Sequence, residues 1–187
     1  MHLIEVERKR ELADKDTLQA RLSEQGYREV AQLHETDVYY SRRDIDYMET
    51  VECLRVRRRN GFAEITYKPA SGADTHSTDD VIAKRETNVQ LSGPDQAAEA
   101  QVLLTAIGMI ELARVEKART VYQHPTHAGA LVAIDVVTNA GMFVETEMTT
   151  TDTDRATADL EKIEAGLGID GPVVRLPYRD LVMANRS

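Results

Sequence analysis

Three arginines, Arg55, Arg57 and Arg59, occupy alternate positions in the stretch from Cys53 to Arg59. Alternate side chains of a strand share one face, so this spacing sets three cations side by side with no interleaved acid. Like charges so placed repel each other unless an anion lies between them. The same alternation recurs along the chain. One parity carries Glu5, Glu7 and Lys9, set against Ile4, Val6 and Arg8. Another carries Glu64, Thr66 and Lys68 against Ala63, Ile65 and Tyr67. Lys84, Glu86, Asn88 and Gln90 alternate with Arg85, Thr87, Val89 and Leu91. Lys117 and Arg119 share a parity, Asp135 is the one charge of its strand, and Glu145 and Glu147 alternate with Val144, Thr146 and Met148.

Two structures satisfy this pattern. The charges could face water on an ordinary sheet whose apolar face packs on helices. Alternatively, the sheet closes into a barrel with the charges inside and the helices outside. The arginine run and the number of strands favour the second, because eight strands close around room for one small ligand.

The strands are expected at 3–10, 33–40, 53–59, 62–68, 84–91, 114–123, 131–138 and 142–149. Asn60-Gly61 and Asn139-Ala140-Gly141 supply hairpin turns. Helices are expected over 16–25, from Ser92-Gly93-Pro94-Asp95 to Gly108, and over 152–165, with a short last helix within 173–183. The elements fall into two βαβββ halves, and an internal repeat supports the division. At a constant offset, Leu22, Gly26, Glu29, Ala31 and Tyr40 match Leu104, Gly108, Glu111, Ala113 and Tyr122. Val30 and Leu112 are apolar partners in the same alignment. The expected architecture is therefore a single α+β domain over 1–187, an eight-stranded antiparallel β-barrel or tunnel. Its first half covers 1–70, a polar connector 69–83, its second half 84–150, and a helical tail 151–187.

Several function classes are excluded. The chain has 187 residues and a formal net charge of −9, which argues against a duplex nucleic-acid binder that relies on a basic surface. No apolar run approaches the ~20 residues of a membrane span. The start, Met-His-Leu-Ile-Glu-Val-Glu, does not read as a signal peptide. A single cysteine, Cys53, forms no internal disulfide, and a reducing cytoplasm is the expected setting. No P-loop is present, and His2, His34, His76, His124 and His127 lack zinc-site spacing.

A charged interior defines its own chemistry. Mutual neutralisation alone is a poor use of buried charge, given the cost of desolvation. A polyanion held with a divalent metal resolves the set. Arginine and lysine clamp phosphate oxygens, and carboxylates supply hard oxygen ligands for Mg²⁺ or Mn²⁺.

The ordered motifs resemble the CYTH superfamily, the triphosphate tunnel metalloenzymes. They are Glu5-Val6-Glu7-Arg8-Lys9, Leu54-Arg55-Val56-Arg57, Thr66-Tyr67-Lys68, Arg85-Glu86, Lys117-Ala118-Arg119, Asp135, and Gly141 to Glu147. The resemblance covers 3 to about 182 and implies the eight-stranded tunnel. It implies metal ligation by Glu5, Glu7, Glu86, Glu145 and Glu147. It implies phosphate binding by Lys9, Arg55, Arg57, Lys68, Lys84, Arg85, Lys117 and Arg119, with Lys9, Lys68 and Asp135 in catalytic roles. Within the superfamily, the stretches around 36–40, 52–57 and 131–147 look most like class IV adenylyl cyclases, which convert ATP to cyclic AMP and pyrophosphate. Relatives hydrolyse thiamine triphosphate, inorganic triphosphate or nucleoside triphosphates, and a non-catalytic polyphosphate-binding module is the third reading. The resemblance also suggests a homodimer. The chain departs from the family pattern at Thr87, Asn88 and Gln90, where glutamates are common, and at Pro177, where a serine often precedes the tyrosine.

Overall fold

A computed structural model describes residues 4–70, 82–127 and 129–185, with the backbone alone for 82–84. The connector expected over 69–83 thus falls mostly outside the described residues. Each half begins with a strand and a helix and continues with three long strands. The first half holds β1 (Ile4–Glu11), α1 (Lys15–Glu24), β2 (Arg28–Ser41), β3 (Cys53–Arg59) and β4 (Phe62–Lys68). The second holds β5 (Ile82–Lys84), β6 (Thr87–Gln90), α2 (Gln96–Ala106), β7 (Ile110–Gln123), β8 (Ala130–Val137) and β9 (Gly141–Thr150). Helices α3 (Thr153–Leu167) and α4 (Tyr178–Ala184) follow. None of the described helices is long and apolar enough to cross a membrane.

All pairings are antiparallel, in the order β5-β1-β9-β8-β7-β2-β3-β4-β6. The strand expected at 84–91 appears as two pieces. β5 pairs with β1 and β6 pairs with β4, so the chain changes partner at Arg85-Glu86. The two ends of the strand order are thus successive pieces of one segment, and the sheet curls until its ends meet there. Counted as one strand, β5 and β6 restore the expected eight.

The internal repeat is visible in the backbone. Helices α1 and α2 both stop at a glycine of positive φ, Gly26 at 85° and Gly108 at 96°. At equivalent positions Tyr27 N donates to Leu22 O (2.9 Å), and Met109 N to Leu104 O (3.0 Å). Strands β2 and β7 start soon after these stops and run longer than the alternation suggests. Each absorbs one extra residue, Val30 in β2 and Leu112 in β7, where their mutual register shifts. A bulge bends its strand and breaks the side-chain period, which hides the upstream part from a pattern reading. The two bulges are repeat equivalents. Between them Glu35 faces Lys117, its own repeat equivalent, so a pseudo-twofold axis passes through that pair.

The halves are interlocked. α1 places Leu18 and Leu22 against Tyr122, Val132, Ile134 and Val144 of the second half's strands, where α3 joins with Ile163 and Leu167. α2 places Ala97, Ala100 and Leu104 against Val38, Tyr40, Val56 and Ala63 of the first half's strands. Each fully buried aliphatic side chain contributes about 1.5–3 kcal/mol to folding. All these strand residues have the parity opposite to the charges, so the apolar face is outside and is covered by helices. The outer face of β1 also buries charge. Arg8 and Arg10 lie beneath α3 and pair with Glu164, with N···O distances of 3.2 and 2.9 Å. Thr146 Oγ1 also donates to Glu164 (2.7 Å).

Helix α4 packs differently. Tyr178 and Val182 cluster with Tyr39, Val115, Val137 and Phe143, which have the inward parity of β2, β7, β8 and β9. The tail helix therefore seals the interior of the tunnel rather than its outside; it spans 178–184, starting five residues into the expected 173–183 and ending one residue beyond it.

Candidate functional site

The inward faces line one cavity of about 360 Å³. Glu5, Glu7 and Lys9 reach it from β1, Arg55, Arg57 and Arg59 from β3, Glu64 and Lys68 from β4, and Glu86 and Asn88 from the corner and β6. Lys117 and Arg119 of β7 and Glu145 and Glu147 of β9 complete the strand walls. Most of the sequence-derived site thus converges on one space. Asp135 lies behind the lining, with no solvent exposure. Arg85 is exposed and is not among the residues that line the cavity. Lys84 faces Glu5 in the strand register, and its side chain lies outside the described residues.

Exposure rises steadily along the tunnel. Asp135 and Lys117 are nearly inaccessible, at 0% and 3% of their side-chain surface, whereas Glu147, Glu5 and Arg59 reach 22%, 26% and 31%. The deep part is basic and held by carboxylates. Arg57 forks onto Asp37 through two hydrogen bonds of 2.7 and 2.6 Å. Glu35 lies 3.3 Å from both Arg57 and Lys117. Asp135 accepts from Arg119 Nε (2.9 Å), Lys117 Nζ (3.2 Å) and the Tyr178 hydroxyl (2.9 Å). Arg119 also binds Glu145.

The electrostatics follow from these contacts. Burial alone would push the Asp37 and Glu35 carboxyls up, but Arg57 outweighs it, with Arg55 and Lys117, and holds both below the usual carboxylate range. Glu145 is held far below it, against burial, by Arg119, Lys117 and Lys9. Glu86 is lowered, against burial, by Lys68 and Arg55. Lys68, 2.6 Å from Glu5, has a raised pKa because Glu7, Glu5 and Glu86 outweigh the cost of its burial. Lys9 moves down through burial, against the pull of Glu145 and Glu7. Glu7 is raised by burial and by the neighbouring Glu5 and Glu145. Glu147 is pushed up to about 7 by burial, with Glu5, Glu145 and Glu7 adding to it against Arg119.

Sequence reasoning missed several residues of this site, among them Glu35, Asp37 and Tyr178. Glu35 and Asp37 lie on β2, and the alternation of Glu35, Asp37 and Tyr39 against Thr36, Val38 and Tyr40 carries the signal that would have found them. Tyr178 comes from the tail, where no strand period marks it.

Two features bear on ligands. The Arg55 Nε–H is buried without a hydrogen-bond partner, an orphaned donor on a cationic group, which suits an anion. At the exposed end, Glu7 and Glu147 are raised, as expected of a surplus of negative charge that protons relieve and a cation would relieve better. Among the described residues no three His, Cys, Asp or Glu side chains form a ready-made cation site. Glu5 pairs instead with Lys68, and Glu145 with Arg119. The donor chemistry therefore fits a hard divalent cation, with these carboxylates released from their partners.

The model of the CYTH domain matches residues 3–172. The chain belongs to the CYTH domain family. A curated relative from Methanocaldococcus jannaschii, provisionally named an adenylate cyclase, is 26% identical over 183 residues, spanning 96% of this chain and 98% of the relative. The PH1819 protein of Pyrococcus horikoshii superposes with a TM-score of 0.82 at 25% identity, covering 97% of this chain and 99% of that one. A Hippeastrum protein, provisionally named an adenylyl cyclase and described as having a dominant triphosphatase activity, superposes with a TM-score of 0.70. It is 16% identical, with 96% and 95% of the two chains covered, a likeness of fold. The CYTH assignment agrees with the curled antiparallel sheet described above.

Proposed function

We propose that this protein is a divalent-metal-dependent enzyme that cleaves a phosphorus–oxygen bond in a triphosphate substrate. One observation carries the reading. Four cations on the two strands that flank β2, Arg55 and Arg57 on β3 and Lys117 and Arg119 on β7, line the same cavity as an excess of carboxylates at its exposed end. A polyanion together with a metal cation complements both. In this reading Arg57, Lys117 and Arg119 grip the phosphate chain in the deep part of the tunnel, and Arg55 supplies its unpartnered Nε–H. Asp135 and Glu35 hold those cations in place from behind. Glu5, Glu7 and Glu147 would hold the metal, with Glu86 and Glu145 beside them. A divalent cation there would neutralise charge on the phosphoryl oxygens and lower the pKa of the attacking oxygen. Lys68 keeps its proton and pairs with phosphate. Lys9, whose ammonium is destabilised by burial, is placed to give or take a proton.

Hydrolysis is the reaction the cavity itself supports best. The described strand walls offer mainly charged or polar side chains to a phosphate chain, and the aromatic side chain among them, Tyr39, is 4% exposed with its hydroxyl turned to Asp37. Cyclisation of ATP, with release of pyrophosphate, is the second reading. It is favoured by the name of the Methanocaldococcus relative. Incubation with Mg²⁺ or Mn²⁺ and ATP, thiamine triphosphate or tripolyphosphate, followed by product separation, decides between them. Orthophosphate release without a cyclic product supports hydrolysis, whereas cyclic AMP with pyrophosphate supports the cyclase. No turnover of any of the three, at any metal concentration, defeats the enzymatic reading.

A further inference from the structure

The family match ends at residue 172, yet a residue beyond it sits at the centre of the tunnel's charge network. Tyr178, the first residue of α4, is buried. Its hydroxyl donates to Asp135 Oδ2 (2.9 Å), the same oxygen that accepts from Lys117 Nζ (3.2 Å). Its ring lies under two ammonium groups, with Lys9 Nζ 4.2 Å and Lys117 Nζ 5.0 Å from the centroid. Phe143 braces the ring at 5.2 Å between centroids. Lys9 Nζ also donates to the carbonyl of Leu176 (2.6 Å), from the same segment.

We propose that Tyr178 is a positioning residue for the phosphate clamp, and that the segment around it sets how Lys9 and Lys117 are presented to the substrate. The inference rests on the triphosphate reading of the cavity. The physical basis is competition for one carboxylate. Lysine carries a flexible stem and a point charge that follows the nearest acid. Asp135 is buried and would draw the Lys117 ammonium fully onto itself. The Tyr178 hydroxyl takes part of that oxygen's accepting capacity, and the ring face offers both ammonium groups a favourable seat on the cavity side. Both lysines are thereby held near the lining, at a spacing that one rigid ring fixes.

Other contacts hold α4 beside this tyrosine. Arg179, which is 1% exposed, donates to the Glu52 carbonyl (2.9 Å) and the Tyr47 carbonyl (3.3 Å). Val182 and Leu181 pack in the same cluster. Tyr178→Phe therefore keeps the ring and the helix and removes only the hydroxyl, whereas Tyr178→Leu removes the seat as well.

The test measures tripolyphosphate binding by calorimetry in Mg²⁺, together with the melting midpoint of each variant. The hydroxyl bonds a charged group, so Tyr178→Phe should weaken binding by about tenfold, besides lowering the melting midpoint by roughly 3–10 °C through the lost buried hydrogen bond. Tyr178→Leu should weaken it further. In a Lys117→Met background the effect of Phe should shrink to nothing, because the residue it acts through is gone. A purely structural role moves the melting midpoint and leaves the dissociation constant alone. Wild-type affinity in Tyr178→Phe, or an undiminished Phe effect in the Lys117→Met background, overturns the inference while leaving the triphosphate reading intact. Failure of the wild-type protein itself to bind tripolyphosphate overturns that reading, and this inference with it. If Tyr178→Leu does not fold, the Phe variant and its double mutant carry the test alone.

Discussion

Asp37→Asn removes one negative charge from the most enclosed part of the tunnel and barely alters its shape. The wild-type carboxylate takes both arms of the Arg57 fork, at 2.7 and 2.6 Å, and lies 3.6 Å from Arg55, with 2% of its side chain exposed. The amide that replaces one oxygen turns N–H donors toward guanidinium donors. Breaking one partner of a buried ion pair costs about 3–5 kcal/mol. In a domain of this length each kcal/mol moves the melting midpoint by roughly 2–4 °C. The variant should therefore melt about 10 °C lower in metal-free buffer at pH 7. Arg55 and Arg57, no longer compensated, should bind an anion more strongly, so added tripolyphosphate should raise the variant's midpoint by more than the wild type's. The pH dependence has a definite sign. Asp37 is depressed in the fold, so its stabilisation is fully present above its unfolded pKa, ~3.9, and fades as pH falls through the folded value. The gap between the two proteins should be constant from pH 5 to 8 and should close in stronger acid. A midpoint within about 2 °C of wild type, or a gap that widens on acidification, refutes the reasoning.

Glu147 is raised in the fold to about 7, so the folded state binds its proton more tightly and metal-free stability falls as pH climbs from about 4.5 to 7. Glu147→Gln should flatten that slope and gain up to about 3 kcal/mol over wild type at pH 8 in EDTA but nothing at pH 4, by denaturant titration; identical pH profiles count against it. Glu164→Gln, outside the tunnel beneath α3, should cost about 3 kcal/mol by leaving Arg8 and Arg10 short of charge. The stabilisation added by tripolyphosphate should be unchanged, and a lost ligand response refutes the assignment of Glu164 to the outer face. Gly26→Ala and Gly108→Ala should each cost about 1–2 kcal/mol, because both positions require positive φ; a tolerated substitution at either shows that its helix ends differently.

The sequence made the tunnel legible because its period is unusually clean. Strand after strand alternates charge with apolar residues, and the repeat carries the same elements twice. Glu5, Glu7, Arg57, Lys117 and Glu147 are found where that alternation puts them. What escaped was local or nonlocal in a way no period records. The bulges at Val30 and Leu112 break the two-residue rhythm and shorten the apparent strands. The change of partner at Arg85-Glu86 turns a single expected strand into two, and it leaves Arg85 outside the lining. Tyr178 belongs to the site through tertiary packing alone, since a seven-residue helix carries too little pattern to say which face it buries. The reaction was open in the sequence for a different reason: both chemistries use the same grip on phosphate.

The pair Glu35–Lys117 sits where the two halves meet across their pseudo-twofold axis. In an assembly of two identical half-length chains, the residue on such an axis meets its own copy. Glutamate would then oppose glutamate, or lysine would oppose lysine, deep in the interior. Joining the halves into one polypeptide lifts that requirement of identity. The two positions can then carry opposite signs, and the attraction that results sets a cation on one strand beside its counter-ion on the next, 3.3 Å away. A single covalent link thus does more than hold the halves together. It permits a broken symmetry at the centre of the molecule, so that a chain built from two like parts can present unlike charges where they meet.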